Sequence, residues 1–97
     1  MRFEWHEDKN RDNIRKHGLD FADIEPLFSS PRLTGSDNRR DYAEDRWISI
    51  GFLEHRILCV VYTLESTEIV RLISARKATR HECEQFQKFL RNRLGSD

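Results

Sequence analysis

The sequence predicts a small α+β domain in which a central antiparallel sheet of about four strands follows two helices and precedes one more. Strand patterns in the middle of the chain, helix patterns near both ends and the absence of a linker between them lead to this fold class. The chain has 97 residues, of which 37% are hydrophobic and 35% charged. That length supports one core but not two. We therefore expect residues 1–97 to form a single domain.

The N-terminal third is predicted to contain one short strand and two helices. Phe3–Trp5 alternates as a strand does. Glu7–His17 is a polar helix whose one strong apolar residue, Ile14, should anchor it to the core. Gly18 suits a left-handed cap at the end of this helix. A second, short helix is expected to begin after Asp20, which is a good N-cap.

The sheet is predicted from one weak strand near Arg32–Thr34 and three strong neighbouring ones. Arg46–Leu53 alternates well, Arg56–Leu64 is a nearly continuous apolar run, and Ile69–Ala75 follows after a short turn. Such short connections favour an antiparallel meander. Thr79 then opens the last helix with a capping-box pattern. The apolar stripe of that helix, expected to face the core, comprises Cys83, Phe86, Leu90 and Leu94.

The charge balance at first argues against a nucleic-acid-binding protein, because 17 basic residues offset 17 acidic ones. The two parts of the chain differ, however. Residues 1–68 hold 10 basic and 14 acidic residues, a net of −4, and residues 69–97 hold 7 and 3, a net of +4. A local cationic region can bind phosphate while attracting little nucleic acid at long range. It would also offer a docking place to an acidic segment of a partner.

Several classes of protein and of site have no support in the sequence. No apolar run approaches the roughly 18 residues of a membrane span, and the charged N-terminus has no signal segment, so we expect a cytoplasmic protein. Cys59 and Cys83 lie in core-type patterns, which predicts buried thiols in a reducing compartment. The four histidines have no metal-ligand spacing, and no Gly-rich phosphate loop occurs. We expect neither a metal nor a cofactor.

The most informative local feature is a group of four cations around the end of one strand and the start of the last helix. They are Arg71, Arg76, Lys77 and Arg80. Phosphate is the expected ligand, because a helix N-terminus favours anions and an arginine donates to two oxygens at once. Alternatively, the last three are ordinary solvated charges. Arg71 shares a strand face with Ile69 and Ile73, so a structural salt bridge is its alternative, with Glu4, Glu44 or Asp45 as the acid.

Three further side chains are candidates with structural alternatives. Tyr62 lies in the strand beside Arg71 and can transfer a proton if its hydroxyl faces the same site, whereas a core tyrosine explains it as well. His17 ends the first helix, where the dipole favours an imidazolium, although a C-terminal capping role explains it equally. Trp5 can stack a base, but tryptophans are more frequently found in cores.

Several motifs occur in order along nearly the whole chain. They are Phe3-Glu4-Trp5, Asn13, Lys16-His17-Gly18 followed by Phe21, Arg46 to Gly51, Val60 to Thr63, and Arg71 to Glu82 with the pattern R-x-I-S-A-R-x-A-T-x-x-E. Together they resemble the BrnT toxins of type II toxin–antitoxin systems. One departure is His6-Glu7, where members of that family usually have Asp-Pro after the tryptophan.

The resemblance implies a RelE-like fold, a metal-independent endoribonuclease that cleaves mRNA and arrests translation, and a cognate BrnA-type antitoxin. The antitoxin would form a hetero-oligomer with the toxin and alone contact operator DNA. In such a reaction the RNA 2′-hydroxyl attacks the adjacent phosphate, which requires proton transfer and positive charge. The expected catalytic residues are Arg71, Arg76, Tyr62 and His17, and the expected RNA-binding residues are Lys77, Arg80, Lys16, Trp5 and Arg46.

A second hypothesis requires no catalysis, since the same sheet and cationic region could clamp an acidic segment of a partner protein. A transcription factor is disfavoured, because every predicted helix has acidic residues among its basic ones. Expression alone and with a small, separately encoded partner discriminates the first two hypotheses. Growth arrest that the partner relieves supports the ribonuclease.

Overall fold

The apolar runs in the second half of the chain form the centre of a sheet in the computed structural model, which describes residues 1–94. Five strands are hydrogen-bonded in the order β1-β5-β4-β3-β2. The elements are β1 (Arg2–Glu4), α1 (Glu7–His17), two 3-10 helices (Phe21–Asp23 and Glu25–Ser29), β2 (Arg32–Ser36), β3 (Trp47–Leu53), β4 (Arg56–Ser66), β5 (Ile69–Lys77) and α2 (Arg80–Arg93).

The sheet confirms the predicted α+β class and the antiparallel meander from β2 to β5. The expectation of about four antiparallel strands is wrong, because β1 adds a fifth strand that runs parallel to β5, with Glu4 opposite Arg71. A pairing between segments so distant in sequence leaves no local signal.

The second predicted helix is also wrong in type, because the segment after Asp20 forms two short 3-10 helices. The Asp20 side chain caps the first of them, as expected, by accepting from the Ala22 amide at 2.9 Å. The first turn ends at Ile24, whose amide donates to Phe21 O. Pro26 then stands at the start of the second turn and has no N–H with which to continue an α-helix.

One core lies between the sheet and the segments before β2. Phe21 and Leu27 of the 3-10 helices, and Ile24 between these helices, are fully buried against Val60 and Leu72 of the central strands. A second core lies on the opposite face, where Phe86 of α2 packs over β3 and β4. The sheet is thus covered on both faces, which suits the continuous apolar run of β4.

α1 is anchored by two buried asparagines rather than by Ile14, which is 41% exposed. Asn13 donates from Nδ2 to Leu19 O at 2.9 Å and accepts at Oδ1 from the Ala75 amide at 3.0 Å. Asn10 accepts from an amide of the following 3-10 helix at 2.9 Å. The two asparagines share one helix face because they are three residues apart. The expected apolar anchor was therefore wrong, and backbone hydrogen bonds replace it.

α2 begins with the predicted capping box. Thr79 Oγ1 accepts from the Glu82 amide at 3.1 Å, and the Glu82 carboxylate accepts from the Thr79 amide at 2.9 Å. Phe86 is buried on the sheet with Cys83 and Leu90 beside it. Leu94 is 82% exposed, so the apolar stripe ends one turn earlier than expected.

A β-bulge on β5 decides which side chains share a face of the sheet. Val61 pairs with Ser74 while its neighbour Tyr62 pairs with Leu72, so one residue of β5 lies between the pairs without a partner. This extra residue changes the alternation of the strand. Arg71 and Arg76, five apart, therefore both lie on the α2 face instead of on opposite faces.

Candidate functional site

One end of the α2 face carries a row of polar side chains that crosses several strands. Glu4 of β1 lies beside Arg71 of β5, and Arg71 lies opposite Thr63 of β4. Arg46 directly precedes β3 and continues the row. Two strand spacings, about 10 Å, separate the backbones at Arg46 and Arg71. Both side chains are long enough to contact one anion between them.

This row opens onto a cavity of about 290 Å³, which we call the cationic cavity. The first turn of α1, the residues before β3, the end of β4 and the first half of β5 all contribute to its walls. The lining residues are His6, Lys9, Glu44, Arg46, Thr63, Glu65, Arg71, Leu72 and Ile73. Three of these side chains are cationic and can donate to the oxygens of a phosphate, and two, Glu44 and Glu65, are acidic.

Arg71 is held by two carboxylates. Its Nη2 and Nε atoms donate to Glu4 Oε2 at 2.6 and 3.1 Å, and Glu65 Oε1 lies 3.9 Å from Nη2. The hydrogen bond to Glu4, and then the charge of Glu65, raise the pKa of Arg71. Glu4 is one of the three acids that the sequence offered, so the salt bridge that stood as the structural alternative for Arg71 is present. The side chain is still 42% exposed and can contact a ligand.

Arg46 is fixed from the loop between β2 and β3. Its Nε donates to Glu44 Oε1 at 3.0 Å, and its guanidinium lies 3.9 Å above the centre of the Tyr42 ring, in cation–π geometry. Thr63 is buried in the same row, and its Oγ1 donates to Glu65 Oε2 at 3.0 Å. One carboxylate and one arginine of the cavity are thus oriented by neighbours before any ligand binds.

The structure separates the cations that the sequence grouped together. Arg76 shares a face with Arg71, but their partners on β4, Cys59 and Thr63, are four residues apart, or about 13 Å. Both terminal nitrogens of Arg76 donate to the Glu82 carboxylate, at 2.8 and 2.9 Å. These bonds hold the pKa of Glu82 at about 2. Arg76 joins β5 to α2 and does not line the cationic cavity.

Four other predicted site residues lie on the surface away from the cavity. Lys77 and Arg80 are exposed where β5 passes into α2. Lys16 and His17 are exposed at the C-terminal end of α1, about 16 Å along the helix from its start. Gly18 follows them in the predicted left-handed conformation, at φ 69°. The structure does not bring these four side chains to Arg71.

Tyr62 and Trp5 belong to the first core. Tyr62 is 3% exposed, and its hydroxyl lies 2.7 Å from Ser49 Oγ on the face of the sheet opposite Arg71. The ring of Trp5 packs edge-on against Phe21, at 6.1 Å between ring centres. The core alternatives describe where both aromatic side chains lie.

Among the ionisable residues that line the cavity, sequence reasoning named Glu44, Arg46 and Arg71 and missed His6, Lys9 and Glu65. His6 is the N-cap residue of α1 and Lys9 lies in the first turn, so both stand at the start of the helix. The usable signal was their position directly after the strand that carries Glu4. Glu65 is two residues after Thr63, at the spacing of one strand face.

The described residues give no sign of two other kinds of site. Within residues 1–94, no helix is both long and apolar enough to cross a membrane. In the same part of the chain, no three His, Cys, Asp or Glu side chains lie close enough to hold a metal ion together. Both cysteines are free, and burial raises the pKa of the Cys59 thiol to about 11.

A family model described as a ribonuclease toxin, BrnT, of type II toxin–antitoxin systems matches residues 5–82. This chain belongs to the BrnT family. The crystal structure of the Brucella abortus ribonuclease toxin BrnT aligns with a TM-score of 0.62 and 32% sequence identity. The alignment covers 82% of this chain and 99% of that one. No curated protein matches the chain significantly.

The BrnT family is described as a ribonuclease toxin, and the cationic cavity lies within the part of the chain that matches this family. The matched span includes every lining residue of the cavity, whereas Glu4, which holds Arg71, lies just before it. Toxins of type II systems are paired with an antitoxin, so an antitoxin partner follows from the family. A ribonuclease must bind a phosphodiester, and this cavity combines three cations with groups able to transfer protons.

Proposed function

We propose that the chain is an endoribonuclease that cleaves mRNA in the cytoplasm without a metal ion and so arrests translation. The convergence of Lys9, Arg46 and Arg71 on one cavity carries this proposal. Attack of the RNA 2′-hydroxyl on the adjacent phosphate builds up negative charge on phosphate oxygens. Hydrogen-bond donors already aimed at those oxygens lower the barrier of such a step.

Arg71 and Arg46 stabilise the charge on the reacting phosphate in this proposal, with Lys9 as the third cation. Each arginine exchanges part of its contact with Glu4 or Glu44 for the phosphate oxygens. The exchange is feasible because both carboxylates are partly exposed, at 38% and 48%, and return to solvent when displaced. Arginine suits this role because its planar fork binds two oxygens of one phosphate.

The remaining predicted residues take other roles. Lys77 and Arg80 are exposed and guide the RNA backbone towards the cavity as positioning residues. Arg76 leaves the catalytic set because Glu82 engages both of its terminal nitrogens. Tyr62 and His17 also leave it, since one lies in the opposite core and the other at the far end of α1.

The proposed partner is a BrnA-type antitoxin that forms a hetero-oligomer with this chain, neutralises it and alone contacts operator DNA. The family supports an antitoxin partner, since its members act within type II systems. The net charge of +4 over residues 69–97 supports docking of an acidic antitoxin segment on this part of the chain.

The test measures cleavage of a single-stranded RNA by the purified chain, with and without EDTA. We expect equal cleavage in both, and a loss of about 10²–10³ in rate for Arg71→Ala. Arg56→Ala, at the start of β4, is the matched control and should cleave as the parent does. EDTA sensitivity would reject metal independence. A folded parent that leaves RNA intact and does not arrest growth would favour the non-catalytic clamp.

A further inference from the structure

The cationic cavity contains a histidine, His6, whose side chain has no structural role in the fold. His6 is the N-cap residue of α1, with extended backbone at φ −83° and ψ 130°, but its side chain makes no capping hydrogen bond. Within the described chain, no hydrogen bond or ion pair engages the imidazole. The side chain is exposed and lines the same cavity as Arg46 and Arg71. Imidazole exchanges protons readily near neutral pH.

Glu65 stands on a different wall of the same cavity. Thr63 donates to one oxygen of this carboxylate at 3.0 Å, and the other oxygen lies 3.9 Å from Arg71 Nη2. A phosphate bound to Arg71 would therefore have a carboxylate on the β4 side and an imidazole on the α1 side. The charged neighbours of the pair, element by element, are Glu4, Lys9, Glu44, Arg46 and Arg71.

We propose that His6 and Glu65 are the acid–base pair of the cleavage reaction, an inference that rests on the proposed ribonuclease function. Glu65 takes the proton of the 2′-hydroxyl, and His6, as imidazolium, gives its proton to the departing 5′-oxygen. Glu65 lies 3.9 Å from the arginine that binds the phosphate, and His6 lines the same cavity. Separate walls let the base and the acid act on the two ends of one in-line displacement.

The step balances with the groups of the cavity alone. The 2′-oxygen forms a bond to phosphorus while the bond from phosphorus to the 5′-oxygen breaks. The products are a 2′,3′-cyclic phosphate and a free 5′-hydroxyl, with Glu65 protonated and His6 neutral. Proton exchange with water then restores both side chains. Arg71 and Arg46 offset the charge that the phosphate oxygens carry between these states.

The first test follows kcat/KM against pH for cleavage of an RNA oligonucleotide by the purified chain. The parent should give a bell-shaped profile. His6→Gln should lower kcat/KM by about 10²–10⁴ and remove the alkaline limb, and Glu65→Gln should lower it similarly and remove the acidic limb. His55→Gln changes an exposed histidine of the turn after β3 and should leave the profile as it is.

A second substrate separates the acid from the base. Sulfur in place of the bridging 5′-oxygen leaves without a proton, so this RNA should rescue His6→Gln but not Glu65→Gln. His6→Asp keeps a good N-cap residue, so its loss of cleavage cannot come from a weakened α1. Thermal unfolding midpoints of all variants should match that of the parent.

The outcomes show whether the acid–base pair alone fails or the proposed ribonuclease function fails with it. If the parent cleaves and both variants cleave at the parental rate, the acid–base pair is overturned while the ribonuclease stands. Loss of activity in His6→Gln without rescue by the sulfur substrate also overturns the role of His6. A folded parent that cleaves neither substrate overturns the pair together with the proposed function.

Discussion

At the scale of the residue, the hydroxyl of Tyr62 forms a hydrogen bond inside the core of the protein. Its oxygen lies 2.7 Å from Ser49 Oγ, which in turn lies 2.9 Å from Thr34 Oγ1. Tyr62→Phe removes the buried hydrogen bond between Tyr62 and Ser49. We expect it to lower the free energy of unfolding by about 1 kcal/mol, measured by urea denaturation, and to leave cleavage unchanged. Loss of cleavage in a stably folded Tyr62→Phe would return this residue to the catalytic set.

Asn13 gives a second residue-scale prediction. Asn13→Ala leaves the Leu19 carbonyl and the Ala75 amide without their partner, so we expect the free energy of unfolding to fall by about 1–3 kcal/mol. Ile14→Ala, one position further, removes a side chain that is 41% exposed and should cost less. Chemical denaturation of both variants checks this order. A larger loss for Ile14→Ala would show that the apolar residue anchors α1 after all.

Residues whose role depends on a near neighbour in sequence were predictable. The capping box of Thr79 and Glu82 and the left-handed Gly18 each require only a short local pattern. A half-buried guanidinium needs an acidic partner, so the sequence limited the partner of Arg71 to three acidic residues. The buried Asn13 was not predictable, since both groups that it binds are backbone atoms placed by the tertiary fold.

At the scale of the element, the link between β5 and α2 has a pH dependence with a defined sign. The hydrogen bonds from Arg76 lower the pKa of Glu82 from its ordinary 4.5 to about 2. Below pH 4.5 the unfolded chain takes up this proton before the folded chain does. The stabilisation is therefore complete above about pH 4.5 and is lost as the pH falls towards 2.

Glu82→Gln should lose less stability than the parent between pH 5 and pH 2, as thermal unfolding at a series of pH values would measure. Asp37, whose pKa is also lowered to about 2 by Arg39, keeps its own dependence in this variant. Glu84→Gln, on the same helix but 63% exposed, is the control and should follow the parent. Parallel curves for Glu82→Gln and the parent would contradict the assignment.

The strands with strong patterns were predicted almost to the residue, and the elements that depend on distant pairing were not. The alternation of β3 and the apolar run of β4 each indicate a strand without help from the rest of the chain. The parallel pairing of β1 and the bulge on β5 arise only when strands are aligned with one another. That bulge changes the face of every β5 side chain beyond it.

At the scale of the whole molecule, the net charge of zero is the sum of two segments of opposite charge. Residues 1–68 have a net charge of −4, and residues 69–97 have a net charge of +4. The association rate with the antitoxin should therefore fall as the salt concentration rises, because screening weakens the steering of an acidic segment. Stopped-flow binding at several ionic strengths measures this slope. Lys77→Ala combined with Arg80→Ala should flatten it with little change in the dissociation rate. A slope of zero in the parent would exclude electrostatic steering.

The candidate site could be predicted only in part because four separate segments form it. Sequence reasoning found Arg71 and Arg46, which lie in strong strand patterns, but grouped Arg71 with cations about 13 Å away. It missed His6 and Lys9, since a helix turn next to β1 enters the cavity only through the pairing of β1 with β5. Tertiary pairing, not local pattern, assembles the cavity.

The pairing of β1 with β5 also has a consequence for synthesis of the chain. Glu4 and Arg71 are 67 positions apart, and the strand that brings them together is completed only after Arg71 has been translated. A nascent or prematurely terminated chain that stops before β5 has His6 but lacks Arg71, which lines the same cavity. The cavity therefore forms late. The complete cationic site exists in the cell only when translation of the fold is nearly finished.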